Sequence, residues 1–365
     1  MKVFFDHQAF TQQSYGGISR YIVRLAAELH NMNNEVKIVA PFHRNRYLKE
    51  LPPQLVKGCE LQKYPPKSAK AFSFLNDFLS KGAFCKWRAD VIHETYYSSR
   101  NKTLKDFPRV VTVHDMTHEK FPNFFSRLDN AALWKKRSVL RADHIICISE
   151  STKRDLIEIL NVPENKISVV YHGFDKLNII EGAGVYIGRK PYLLYVGSRG
   201  GYKNFEAFLK AFASSPILKK DFNIVAFGGG EFTSAEKNVM SELGLDENQL
   251  TQLGGDDHVL GSLYKNAHAF VYPSLYEGFG LPPLEAMAQG CPVFSSNSSS
   301  MPEVIGNAGI FFNPNDTYEM RISLENNIYS QEILADLSDK GRLRLSHFSW
   351  SKCAKETIEA YSKAI

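Results

Sequence analysis

The segment Glu277-Gly278-Phe279-Gly280-Leu281-Pro282-Pro283-Leu284-Glu285 concentrates the side chains best suited to chemistry. It follows the apolar run Ala269-Phe270-Val271-Tyr272 and enters a stretch that Gly290 ends, so it reads as strand, turn and helix start. Two glycines permit a close turn, and prolines at the first helical positions pre-set the helix. The N–H groups of Gly280, Leu281 and the first turn then point beyond the strand, where the helix dipole favours a phosphate. Glu277 before the turn and Glu285 one turn inside the helix can border one pocket. Carboxylates there would accept hydrogen bonds from the hydroxyls of a ribose or a hexose. An acidic helix start with only a capping role is the alternative.

Arg199 and Lys203 lie just past another apolar run, 192–196, and are four residues apart. A helical turn would set both cations on one face, where they could neutralise a diphosphate leaving group; an exposed basic loop is the plainer reading. His114 closes the apolar run 109–113 and precedes Asp115, as a structural strand-end histidine or as a substrate contact. Gly16-Gly17 either relax the turn before a helix starting near Ser19 or leave room for close approach of a phosphate or acceptor. No D-x-D triplet occurs, so no metal bridge to a diphosphate and no metal or other cofactor is expected.

These loops need strands to hold them. Short runs rich in Val, Ile, Phe and Tyr alternate with longer amphipathic stretches, the pattern of βαβ units and parallel sheets. Strands are expected near 2–6, 35–40, 90–93, 109–113, 143–148 and 167–171, then near 192–196, 223–227, 250–254, 268–272, 291–295 and 309–312. Six and six predict an α/β chain of two Rossmann-like, doubly wound domains facing across a cleft. The expected division is a first domain over 1–175, a linker over 176–190, a second domain over 191–349 and a final helix, 350–365, packed on the first domain.

The 365 residues suit two domains, and their formal charge of +5 is unremarkable. It averages unequal halves: residues 1–180 hold 28 Lys+Arg against 18 Asp+Glu (+10), and residues 181–365 hold 16 against 21 (−5). The basic half suits an anionic ligand or membrane surface, or is simply a solvated face. No run is long and apolar enough to span a bilayer, and Asp6 interrupts Val3-Phe4-Phe5 too early for a signal peptide. Five separated cysteines without a CxxC pair argue against a disulfide framework or a zinc site and for reduced thiols in a cytoplasmic chain. The aromatic stretches 72–79, 96–97 and 121–134 are mostly core, with one of these helices free to rest on a membrane interface.

A strand followed by E-x7-E with an internal GFG and a PxLEAMA tail resembles the retaining glycosyltransferases of family 4, which have the GT-B fold. Other segments fall in the family's order: Gly16-Gly17-Ile18-Ser19-Arg20-Tyr21, Val113-His114-Asp115, Tyr195-Val196-Gly197-Ser198-Arg199 with Lys203-Asn204, Pro273-Ser274, and Ser300-Met301-Pro302-Glu303-Val304. The resemblance implies transfer of a hexose from a nucleotide-diphosphate sugar to a saccharide or lipid-linked acceptor, with retention at the anomeric carbon. It implies Arg199 and Lys203 on the donor diphosphate, His114 and Glu277 on the sugar and Glu285 on the ribose. Gly16, Gly17, Gly278, Phe279, Gly280 and Leu281 would line the substrates. Gly228 in the Gly228-Gly229-Gly230 turn and Leu253 would sit against the nucleoside, if they are more than turn residues.

UDP-glucose is the first choice of donor and GDP-mannose the second. The setting implied is surface-polysaccharide assembly, peripheral at the inner face of the plasma membrane, with no nucleic-acid partner. Two other readings stand beside this one. A nucleotide-sugar binding subunit of a polysaccharide-assembly complex would do no chemistry. A nicotinamide-dependent oxidoreductase would need G-x-G-x-x-G after the first strand, where the chain reads Asp6-His7-Gln8-Ala9-Phe10.

Overall fold

The structure is a computed structural model that describes residues 1–66, 68–98, 107–179, 190–246 and 248–365; most of the expected linker, 180–189, lies outside them. The chain divides into two compact units, Met1–Gly173 with Ser349–Ile365, and Phe174–Phe348.

The first unit holds β1 (Lys2–Phe5), β2 (Glu35–His43), β3 (Val56–Glu60), β4 (Val91–Glu94), β5 (Arg109–Val113), β6 (His144–Cys147) and β7 (Ile167–Val169). They form one sheet in the order β3-β2-β1-β4-β5-β6-β7, with every pair parallel. The second unit holds β8 (Tyr192–Val196), β9 (Asn223–Phe227), β10 (Leu250–Leu253), β11 (Ala269–Tyr272), β12 (Val293–Ser296) and β13 (Gly309–Phe312). Their order is β10-β9-β8-β11-β12-β13, again parallel throughout.

A parallel sheet is covered on both faces, so its central strands read as unbroken apolar runs. Strands β4, β6, β8, β11 and β12 are buried at every residue. Strand β3 is the element not expected from the sequence. It is an edge strand whose Lys57, Gly58 and Cys59 are exposed, so it lacks the apolar signal of its neighbours.

Side chains alternate across the first sheet: Val3 and Phe5 enter one core with the Gly17–Asn31 helix, and Phe4 enters another with Phe84. The Trp350–Ala364 helix joins the first of these cores through Cys353, Ala354, Ala360 and Tyr361. In each sheet the strand order reverses beside the first strand, between β1 and β4 and between β8 and β11. Ligands of open α/β sheets bind beyond the carboxyl ends of the strands at such points.

Candidate functional site

In the second unit the loops after β8 and β11 flank the reversal point and are tied together. Leu275 N–H donates to Tyr202 O at 2.8 Å, and the Asn204 amide donates to Pro273 O at 3.0 Å and to Pro314 O at 2.8 Å. This stitching brings Lys203 Nζ to 2.6 Å from Glu277 Oε1, with both side chains mostly buried. Tyr272 is fully enclosed. Burial first, and then the adjacent Glu277 carboxylate with which its hydroxyl is hydrogen-bonded, push its pKa well above the usual phenol range.

The turn from Glu277 to Gly280 is fastened from the far side by two serines. Glu277 N–H donates to Ser299 Oγ at 2.9 Å, and Ser300 Oγ lies 2.9 Å from the carbonyl oxygens of both Glu277 and Phe279. Gly280 has φ +105, which favours glycine, and a Cβ there would stand 2.6 Å from Met301 Cε, so a side chain would have to displace the end of that methionine. The helix Leu281–Ala288 starts at once. Pro282 and Pro283 have no N–H, so Gly280 and Leu281 carry the orphan donors of this helix start. Glu285, one turn in, accepts from Tyr264 Oη at 3.4 Å.

Arg199 and Lys203 do not share a helical face. Gly200 is extended and the one-turn helix begins only at Gly201, so the two cations diverge to different partners. Arg199 is buried, and all five of its N–H donors are taken within the unit. Nε meets Glu236 Oε1 at 2.6 Å, Nη1 meets Gly228 O at 2.7 Å and Gly230 O at 2.9 Å, and Nη2 meets Glu231 O at 2.9 Å and Glu236 Oε2 at 3.3 Å. A Cβ on Gly229, where φ is +72, would stand 2.8 Å from Arg199 Nη1. Burial penalises the Glu236 carboxylate, but the Arg199 and Thr233 hydrogen bonds outweigh it and hold the group below its ordinary range. Gly228 N–H donates to Leu253 O at 2.9 Å, so these two nucleoside candidates adjoin.

In the first unit Gly16 precedes, and Gly17 begins, the helix Gly17–Asn31. Its third N–H, on Ser19, is taken by Gln13 Oε1 at 3.2 Å, while the space a Gly17 Cβ would fill is open. Tyr21 on this helix meets the His114 ring edge-on at 5.4 Å and the His172 ring at 4.5 Å, and the two histidines stack at 5.9 Å. His114 N–H donates to Tyr97 Oη at 3.2 Å. Burial, opposed by Asp115 and assisted by Lys135, pushes the His114 pKa down to about 4, so its imidazole is neutral at pH 7. Lys135 is buried and donates to Asp115 O at 2.8 Å and Glu119 Oε2 at 2.7 Å.

Sequence reasoning had no sign of Glu236, Ser299 or Lys135, and it placed Tyr272 and Tyr21 in motif segments without giving either a role. Only the T-x-x-E spacing of a capping box, at Thr233 and Glu236, was there to be found, and it marks a helix start, not an arginine partner.

Residues 184–344 match the family Glycosyl transferases group 1, and residues 15–176 match Glycosyltransferase Family 4. The chain is 29% identical over 235 residues to the O-antigen chain mannosyltransferase RfbU of Salmonella typhimurium, a match covering 64% of this chain and 63% of that protein. It is 29% identical over 276 residues to the O-antigen chain mannosyltransferase B of Escherichia coli, covering 69% of each. Among solved structures, the sucrose-phosphate synthase of Thermosynechococcus elongatus superposes with a TM-score of 0.74 at 21% identity, over 99% of this chain and 98% of that one. The fold is that of the GT-B glycosyltransferases.

Proposed function

The chain belongs to glycosyltransferase family 4, and from that premise we propose that it transfers a hexose from a nucleotide-diphosphate sugar to a saccharide hydroxyl in surface-polysaccharide assembly, with retention. Mannose is the favoured sugar and GDP-mannose the favoured donor, because the relatives named above are mannosyltransferases. This reverses the order in which the motifs alone placed glucose and mannose.

The observation that carries the reading is the Lys203–Glu277 pair beside the N–H groups of Gly280 and Leu281, at the reversal point of the second sheet. The pair keeps each charge compensated until a donor arrives. A diphosphate then competes for Lys203 and takes the two N–H groups, and Glu277 is released towards the sugar hydroxyls. As the bond between anomeric carbon and phosphate oxygen breaks, charge builds on the diphosphate, where a fixed cation and fixed dipoles stabilise it without reorganising. The acceptor hydroxyl attacks on the same face and passes its proton to the departing phosphate.

Glu285, held by Tyr264, faces the ribose. Neutral His114 serves as a hydrogen-bonding partner of the sugar and not as a charge. Arg199 acts indirectly: with all five donors spent on Glu236 and the 228–231 carbonyls, it fixes the loop against which Gly228 and Leu253 place the nucleoside.

The test is release of nucleotide from GDP-mannose and UDP-glucose, with and without acceptor and with EDTA throughout. Turnover of GDP-mannose in EDTA, with an α-linked product by NMR, is expected. No turnover of either donor would leave a binding subunit as the reading, and an inverted product would overturn retention.

A further inference from the structure

The Trp350–Ala364 helix closes a hydrogen-bonded chain through the core of the first unit. Tyr361 Oη lies 2.7 Å from His93 Nδ1, His93 Nε2 lies 2.8 Å from Thr112 Oγ1, and Thr112 Oγ1 lies 3.3 Å from Tyr21 Oη. All four side chains are buried, and they come from four elements: the final helix, β4, β5 and the Gly17–Asn31 helix. Burial keeps the His93 ring neutral at pH 7. A neutral imidazole has one N–H and one lone pair, so one of its two hydroxyl neighbours donates to it and the other accepts from it. The hydroxyls of Tyr361 and Thr112 are thereby locked in step.

The far end of the chain reaches the histidine assigned to the sugar. The Tyr21 ring meets His114 edge-on at 5.4 Å and His172 at 4.5 Å, and it lies 6.2 Å from the Trp350 ring. Trp350 is itself seated hard against the residue after His172, since a Cβ on Gly173 would stand 2.3 Å from Trp350 N. The final helix therefore holds Tyr21 at two points, by the ring of its first residue and through the chain that starts at Tyr361, about three turns further on.

Apolar packing does not require such a chain. The same helix already buries Cys353, Ala354 and Ala360 in this core, and apolar contacts of about the right volume tolerate small slides. A buried polar chain tolerates none, because a shifted helix would leave an imidazole nitrogen and hydroxyls unpaired where water does not reach. What it selects is one position for the Tyr21 ring against His114.

We infer that Tyr361, His93 and Thr112 are positioning residues for the transfer reaction: by anchoring Tyr21 they hold the His114 ring at the angle and depth at which it meets the donor sugar. That role of His114 comes from the transferase reading, on which this inference rests; the coupling itself rests on the chain's geometry.

Tyr361→Phe and Thr112→Val each remove one hydroxyl with little change of shape. Each is expected to lower kcat about tenfold and to leave the donor KM within about twofold. The double variant should lose no more than either alone, because both cut the same chain. Ala360→Gly loosens the same helix without touching a chain hydroxyl, so it should lower melting and leave kcat alone. In the full protein carrying labelled histidine rings, the His114 signal in NMR should move in Tyr361→Phe and stay in place in Ala360→Gly. Wild-type kcat in Tyr361→Phe, multiplied losses in the double variant, an equal kcat loss in Ala360→Gly, or an unmoved His114 signal in Tyr361→Phe would each overturn the proposal. No turnover of donor by the wild type would instead sink the transferase reading, and the His114 signal would still decide the coupling.

Discussion

The two units share a topology and differ in where they bury histidine. Around its reversal point the second unit keeps charges and pairs them: Lys203 with Glu277, and Arg199 with Glu236. The first unit also pairs buried charges, Lys135 with Glu119 and Arg141 with Glu94, but it adds a group of buried imidazoles that the second unit lacks among the described residues. His93 lies between Tyr361 Oη at 2.7 Å and Thr112 Oγ1 at 2.8 Å, and His114 and His172 stack beside Tyr21. Burial, with His114 as a smaller second cause, pushes His93 down to about 3 and holds His172 well below its ordinary range. In the proposed function, compensated ions at the second site suit a charged diphosphate, and neutral hydrogen-bonding rings at the first suit uncharged hydroxyls.

Acid should separate the units most clearly. In the unfolded chain histidine protonates below about pH 6.5, but the buried rings of His93, His114 and His172 do not, so the unfolded state binds more protons and stability is lost as pH falls below that value. Each histidine contributes a slope of about 1.4 kcal/mol per pH unit until its folded pKa is reached. Glu236 in the second unit, with its lowered pKa, gives up its contribution only below the ordinary glutamate range. Trp87, Trp134 and Trp350 all belong to the first unit, so an acid titration followed by tryptophan fluorescence is expected to show a transition at higher pH than far-UV circular dichroism of the whole chain. Coincident transitions would remove the contrast.

The next effect in size concerns Lys203, the less buried of the two paired cations. Lys203→Ala is expected to lower kcat by about 10²–10³-fold, the usual cost of one transition-state donor, and to lower melting as well, because it leaves the mostly buried Glu277 carboxylate unpaired. A variant with near-normal kcat would place the diphosphate elsewhere.

Arg199 tests whether a buried cation acts directly or through its loop. Glu236→Gln should reproduce the defect of Arg199→Ala, each raising the donor KM by about tenfold with a smaller change in kcat, because either one frees the 228–231 loop and leaves a buried partner unpaired. If Glu236→Gln were silent and Arg199→Ala lost kcat, Arg199 would be a direct diphosphate ligand.

Smallest is Gly280→Ala, which forces a side chain into positive φ against Met301 and should cost about 1–3 kcal/mol in urea unfolding. No loss would mean that the turn relaxes freely and does not hold its N–H groups in place.

Much of this was legible in local patterns. Most central strands announced themselves by the apolar residues that burial on both faces favours, even where β4 and β12 end in His93-Glu94 and Ser295-Ser296, and β3 escaped because an exposed edge demands none. The E-x7-E segment was readable as a turn and helix start, since glycine and proline act on their own backbone whatever surrounds them. The expected pairing of Arg199 with Lys203 failed at Gly200-Gly201, where a spacing rule that holds inside helices met a loop.

By itself, the amino-acid order determined the two-sheet architecture, the Gly280 turn and the presence of two cations and two carboxylates near strand ends. These follow from backbone preference and burial, which act over a few residues. Tertiary structure alone decided which cation meets which carboxylate, because Lys203 and Glu277 are 74 positions apart and Arg199 and Glu236 are 37 apart. It also decided that His114 is neutral and that the Ala69–Trp87 helix turns Phe74 and Phe78 outward but Phe84 into the core. Burial and partner geometry set those outcomes, and both arise only when distant segments pack.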